Sequence, residues 1–255
     1  MNGIDLGILL PAFIAGILVL ATHVPLGMKV LARGIIFADL AVAQIAGLGV
    51  VIAGLAGYAE QPLAVQFIAV ASALVGAMLL AYIEHFLPEV REASIGLLFV
   101  LAASGSILLM SRDTHAGEHL KDLLVGQILW VSDTQLLATA LLSAAILLIW
   151  RIFSHRLSRL AFYALFALAV TASVQLVGVY LVFASLIVPA LATHKLKQRR
   201  MVAAYAIGVL GYVAGLLLSV WLDLPAGAAI VWAMALLGAI LLLKARAAHD
   251  IIGAP

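Results

Sequence analysis

Runs of about twenty apolar residues, separated by short polar connections, recur along nearly the whole chain and leave few architectures open. A helix that crosses a bilayer needs about 20 mostly apolar residues. Such runs occupy 6–27, 35–58, 62–84, 93–111, 134–152, 201–221 and 225–243. The remaining stretch, 161–193, is too long for one simple span. Val177-Gly178 in its middle and Pro189 near its end predict two shorter, partly broken helices. The expectation is an all-α polytopic membrane bundle of about nine transmembrane helices, or eight if 161–193 is one long tilted helix. Composition agrees. Charged residues make up 10% of the chain and hydrophobic ones 66%, against about 25% charged in soluble domains. No linker, low-complexity tract or repeat divides residues 1–255, which read as one transmembrane domain. The first apolar run has no Lys or Arg before it, so it reads as a retained span and not a cleaved leader.

The basic residues orient the spans. With nine crossings, one side carries Lys29, Arg33, Arg91, Arg151, Arg156, Arg159, Lys195, Lys197, Arg199, Arg200, Lys244 and Arg246, which is 12 of the 14. Only Arg112 and Lys121 fall opposite. The positive-inside rule makes the richer side cytoplasmic, with the N-terminus outside, the C-terminus inside and the 112–133 loop facing out. A net charge of +2 gives no reason to expect nucleic acid. The absence of cysteine excludes disulfides and thiolate metal sites. Small residues at helical spacing, Ala43 with Gly47, Ala204 with Gly208, and Gly211 with Gly215, read as close helix packing.

Two polar groups lie at membrane depth. Asp39 is a few residues into the second span. An intramembrane carboxylate is costly and faces the bundle interior, a partner or water. It reads either as a ligand for a passing cation or as the partner of Arg33 or Lys29. His23, near the inner end of the first span, could meet Asp39 across the short 28–34 connection. It reads equally as a hydrogen-bonded structural group. Gln127 and Gln175 suit interhelical hydrogen bonds. Glu84 and His85 read as a solvated helix end.

The outer loop, RDTHAGEHLKDLLVGQILWVSD at 112–133, places His115, Glu118, His119 and Asp122 within one or two helical turns. Imidazole and carboxylate together suit borderline divalent metals such as Zn²⁺ and Mn²⁺. A solvated mixed-charge loop is the plainer reading. His115-Ala-Gly-Glu118-His119 also fits H-x-x-E-H, the inverted zinc-protease signature, but Gly117 weakens the helix that motif needs. No phosphate-binding G-x-x-x-x-G-K-[ST] occurs, so ATP-driven transport would need a separate ATPase chain.

The segments THVPLGMKVLARGIIFADLAVAQIAGLG (22–49), EVREASIGLLFVLA (89–102), HAGEHLKDLLVGQILWV (115–131) and VQLVGVYLVFASLIVPALAT (174–193) together resemble the membrane permease subunit of the zinc, manganese and iron ABC importers. The resemblance covers almost the whole chain. It implies a multi-pass protein of the bacterial inner membrane, paired with a second permease copy as a homodimer or pseudo-dimer. It also implies a cytoplasmic ABC ATPase and an extracytoplasmic metal-binding protein as partners. No cofactor would be held permanently. The transported divalent metal would be zinc first, with manganese or iron as alternatives, and the chain would not be an enzyme. The expected transient metal contacts are His115, Glu118, His119, Asp39 and His23. Arg156 and Arg159, in the short 151–160 connection, are the expected ATPase contacts. Where relatives often carry Asp-Ala-Leu-Ser-His in the second span, this chain has Asp39-Leu-Ala-Val-Ala43-Gln44, so either the Asp is displaced or Ala43 replaces the His. Alternative readings are a permease for a metal chelate of siderophore or corrinoid type, an ATP-independent carrier, and a membrane zinc metalloprotease.

Overall fold

The computed structural model describes residues 6–110, 124, 126–153, 157–196 and 198–252. No strand occurs among them. The α-helices are α1 (Leu6–Arg33), α2 (Ala38–Ala53), α3 (Pro62–Phe86), α4 (Arg91–Met110), α5 (Asp133–Phe153), α6 (Arg159–Val177), α7 (Val179–Ala192), α8 (Arg200–Leu222) and α9 (Ala226–Ile252). α2 continues into a wider π turn, Gly54–Tyr58, kinked at Gly57, where φ is 86°. All of these helices except α7 are, alone or with such an extension, long and apolar enough to cross a membrane.

The expected division of 161–193 is present, and its cause is Gly178. Its backbone, φ 80° and ψ 164°, lies where only glycine sits without strain. It ends α6 and starts α7. Gly126, also left-handed at φ 72°, packs its backbone against Val177 and Gly178, leaving no room for a Cβ. α7 has 14 residues, about 21 Å of rise, which is short of the ~30 Å hydrocarbon core. It nevertheless returns toward the end where α1 finishes. Gly27 of α1 touches the Leu186 carbonyl, and the Arg200 guanidinium donates to the Ala190 carbonyl at 3.4 Å. Among the described residues, eight helices are thus long enough to span, and α7 is a ninth, shorter apolar helix.

Burial sorts the helices. α6 is the most buried span and α5 the least. The core lies where α1, α6, α7 and α8 meet, around the fully buried Phe162, Tyr163, Phe166 and Tyr212. Tyr212 shares a hydrogen bond of 3.0 Å with Ser185, so its hydroxyl is satisfied inside the bundle. The small residues of α8 pack as expected: Gly208 meets Leu20, Gly211 meets Met234, and Gly215 meets the Ile230 backbone. Absent side chains let these helices approach closely, which is how helices gain contact in lipid.

Candidate functional site

The bundle has two chemically different ends. At one, α1 and α3 finish and α4 and α6 begin. Arg33 Nη1 lies 3.5 Å and Arg159 Nε 3.8 Å from Glu84 Oε2. The Arg33 guanidinium also covers the Phe162 ring at 4.0 Å from its centroid, a favourable cation–π geometry. Ser158 caps α6 by accepting from the Ala161 N–H at 3.1 Å. The turn between α1 and α2 passes through Gly34 at φ 64°. The Ile36 N–H then donates to Glu92 Oε1 at 2.8 Å. Glu84 is thus not the solvated helix end expected from its position: one carboxylate serves cations from two other helices. Arg33, committed to Glu84, is not the partner of Asp39.

At the opposite end, a cavity of about 870 Å³ opens among the last turns of α2 and α4, the first turns of α3 and α5, and the end of α6. Its walls include Val50, Gly54, Leu55, Val65, Met110, Trp130, Val131 and Val174, with the neutral amides Gln66, Gln127, Gln135 and Gln175. Gln127 and Gln175, read as interhelical hydrogen-bonding groups, line this open space. Met110 and Gly126, which flank residues 111–125, both belong to the wall. His115, Glu118, His119 and Asp122 lie outside the described residues, as does Arg156.

A much smaller space of about 10 Å³ adjoins the cavity, lined by Ala43, Gln44, Gly47, Ser106, Met110, Val174 and Val179. Met110 and Val174 belong to both spaces. Along α2, Asp39, Ala43, Gly47, Val50 and Gly54 are spaced by three or four residues and so share one helical face. That face runs from the wide cavity, through the small space, to a carboxylate one turn further on. Ala43, packed in the core as expected from its spacing, and Gly47 also border this small space between helices.

Asp39 is 1% exposed. Neither carboxylate oxygen has a hydrogen-bond partner by distance and angle among the described residues. Asp39 stands in the first turn of α2, where a negative charge gains from the aligned N–H dipoles of the helix. His23 is fully buried. Its Nδ1 lies 3.0 Å from the Val19 carbonyl and 3.0 Å from Thr22 Oγ1. The tautomer that donates Nδ1–H to Val19 leaves a lone pair on Nε2, and Nε2 has no partner among the described residues. No hydrogen bond joins His23 to Asp39, because α1 packs chiefly on α7 and α2 on α3 and α4. No three His, Asp or Glu residues gather into a metal-holding group among the described residues.

Ser106, Met110 and Gln44 are the site residues that charge-based reading passed over or left unassigned. The only signal for the first two was their four-residue spacing, which puts a hydroxyl and a thioether on one face of α4.

The manganese transport system membrane protein MntC of Halalkalibacterium halodurans is 29% identical over 229 residues, covering 81% of this chain and 76% of that protein. Among solved structures, PsaBC from Streptococcus pneumoniae in complex with Fab superposes with a TM-score of 0.75 at 23% identity, covering 93% of this chain and 91% of that one. A metal-chelate type ABC transporter in an inward-facing conformation gives a TM-score of 0.66 at 18% identity, covering 92% and 85%. The ABC 3 transport family matches residues 5–162 and 153–245. A polytopic helical bundle with that match along nearly its whole length belongs to the ABC 3 transport family, and the chain is a non-enzymatic, multi-pass permease of the bacterial inner membrane.

Proposed function

We propose that the chain is the permease of an ABC importer for a divalent metal ion, manganese or zinc, with iron a further candidate. The metal passes from an extracytoplasmic binding protein to the cytoplasm while a separate ATPase hydrolyses ATP. The observation that carries this reading is the α2 face that leads from a wide cavity to the buried Asp39. A passing cation is served by a carboxylate held inside the bundle and by sites weak enough to release it. The relative named for manganese transport supports a metal as cargo. His115, Glu118 and His119 supply transient capture in the outer loop, and His23 is a second nitrogen donor near the cytoplasmic half of the path. The charge bias puts the end holding Arg33, Glu84 and Arg159 in the cytoplasm. The 151–160 connection docks the ATPase through Arg156 and Arg159, and a second permease copy completes the pair.

The test is uptake of radioactive manganese and zinc by complexes reconstituted with ATPase and binding protein. Asp39→Asn keeps the shape and removes the charge, so the maximal rate should fall about tenfold, the equivalent of ~1.4 kcal/mol. A parent rate for both metals would make Asp39 structural. His115→Ala with His119→Ala should weaken uptake mainly at low metal supply. Arg156→Glu should lower transport-coupled ATP hydrolysis.

A second reading is import of a metal chelate. The volume of the cavity, about 870 Å³, lies in the range of small-molecule sites, and its described walls carry no charge. Competition between free manganese or zinc and a chelate separates the two: a chelate permease moves the loaded chelator and ignores the free ion.

A further inference from the structure

We propose that Gln44, Ser106 and Met110 form a one-ion constriction, an uncharged metal site through which the cation passes before it reaches Asp39. The inference rests on the reading of the chain as a metal permease and assigns that path a selectivity site.

Four observations carry it. The space bounded by these residues is about 10 Å³, close to the volume needed for one water-sized probe. A cation entering it must shed most of its water. Gln44 is 8% exposed, lines the space, and makes no hydrogen bond among the described residues. Its amide is therefore uncommitted to a neighbour, and a carbonyl oxygen such as Oε1 is a ready cation ligand. Ser106 donates its hydroxyl hydrogen to the Ala102 carbonyl at 3.0 Å, which leaves the Oγ lone pairs for an incoming cation. Met110 sits four residues on, 8% exposed, and borders both the small space and the wide cavity. It stands where the ion leaves the open end.

The chemistry follows from the donor types. Amide and hydroxyl oxygens suit manganese, whereas a thioether favours softer metals such as zinc. The three donors are neutral, so they replace part of the hydration shell without the deep well that a carboxylate or thiolate would create. A site that is crossed must bind weakly enough to release. The charge is supplied one turn later, at Asp39. Val174 and Val179, from the two sides of the Gly178 break, close the remaining wall, so the broken helix frames the constriction.

The test uses the complete reconstituted importer and measures initial uptake of zinc and manganese separately. Met110→Leu nearly conserves volume and removes only the sulfur. The zinc-to-manganese uptake ratio should fall several-fold. Because it is a ratio, it does not depend on how much folded complex is present. Gln44→Leu should lower the maximal rate for both metals about tenfold, the size of a lost buried polar contact of ~1.4 kcal/mol. Ser106→Ala should act in the same direction and more weakly. An unchanged ratio in Met110→Leu together with a parent rate in Gln44→Leu overturns the constriction. If the parent complex itself moves neither metal, the metal-permease reading fails instead.

Discussion

The two ends of this bundle solve opposite problems. At the basic end, cations from α1 and α6 converge on one carboxylate of α3, Glu84, and the turn between α1 and α2 is tied down by Glu92. At the cavity end, the described lining holds no charged side chain. Its polar groups are four glutamine amides on apolar walls. Ion pairs hold helices at fixed separations, while apolar walls with neutral amides let them stand apart. Among the described residues, then, one end of the bundle is open and the other is fastened by ion pairs. The difference also separates two uses of charge in a membrane protein: Glu84 is spent on neighbours, whereas Asp39 is not.

Substitutions at each end can break this comparison. The largest expected effect is at Gly126. A Cβ there would collide with the backbone of Val177 and Gly178, and the left-handed φ adds its own cost. Gly126→Ala should destabilise the protein by about 3 kcal/mol, seen as a lowered unfolding midpoint of the purified complex. An unchanged midpoint would mean that the α6–α7 break does not depend on this contact. A smaller effect belongs to Glu84→Gln. It leaves Arg33 and Arg159 without an anionic partner, and because both arginines are partly exposed the loss should be about 1–2 kcal/mol. The more telling result would be basal ATP hydrolysis that rises in the absence of metal, as expected if this cluster fastens the inner end. Unaltered basal hydrolysis would make the cluster a stability device only. The smallest effect is expected for Arg159→Gln. Its pair is long, at 3.8 Å, and exposed, so the cost should stay below about 1 kcal/mol and shrink further in high salt.

The spans were legible because lipid imposes a length on every apolar run. The break at Gly178 was legible because 161–193 exceeds that length for one helix. Asp39 was legible because a carboxylate is rare inside an apolar run. The pairing of Glu84 was not. It sits where α3 ends, a place that water explains equally well, and its partners come from α1 and α6. Nothing local announces a contact 51 residues away. Ser106 and Met110 were hidden for a different reason: a hydroxyl or thioether costs little in an apolar helix, so only the fold gives them a shared direction. Ala43 and Gly47 show the limit of spacing arguments. Small residues four apart can seat a neighbouring helix and also border a gap beside it, which only the placement of α4 and α6 reveals.

In the proposed importer, one face of α2 lines the route from the cavity to Asp39. The absence of cysteine from the chain allows a direct measurement, in which single cysteines along α2 are labelled from outside by a small, charged, membrane-impermeant thiol reagent in the assembled importer. Positions 54 and 50, on the cavity wall, should react quickly, and position 47, beside the constriction, more slowly. Manganese or zinc should protect position 47 most. Position 52, whose side chain lies exposed on the outer surface of the bundle, should resist the charged reagent when surrounded by lipid. Labelling at 52 that matches 50, or a position 47 that neither reacts nor responds to metal, would contradict the route.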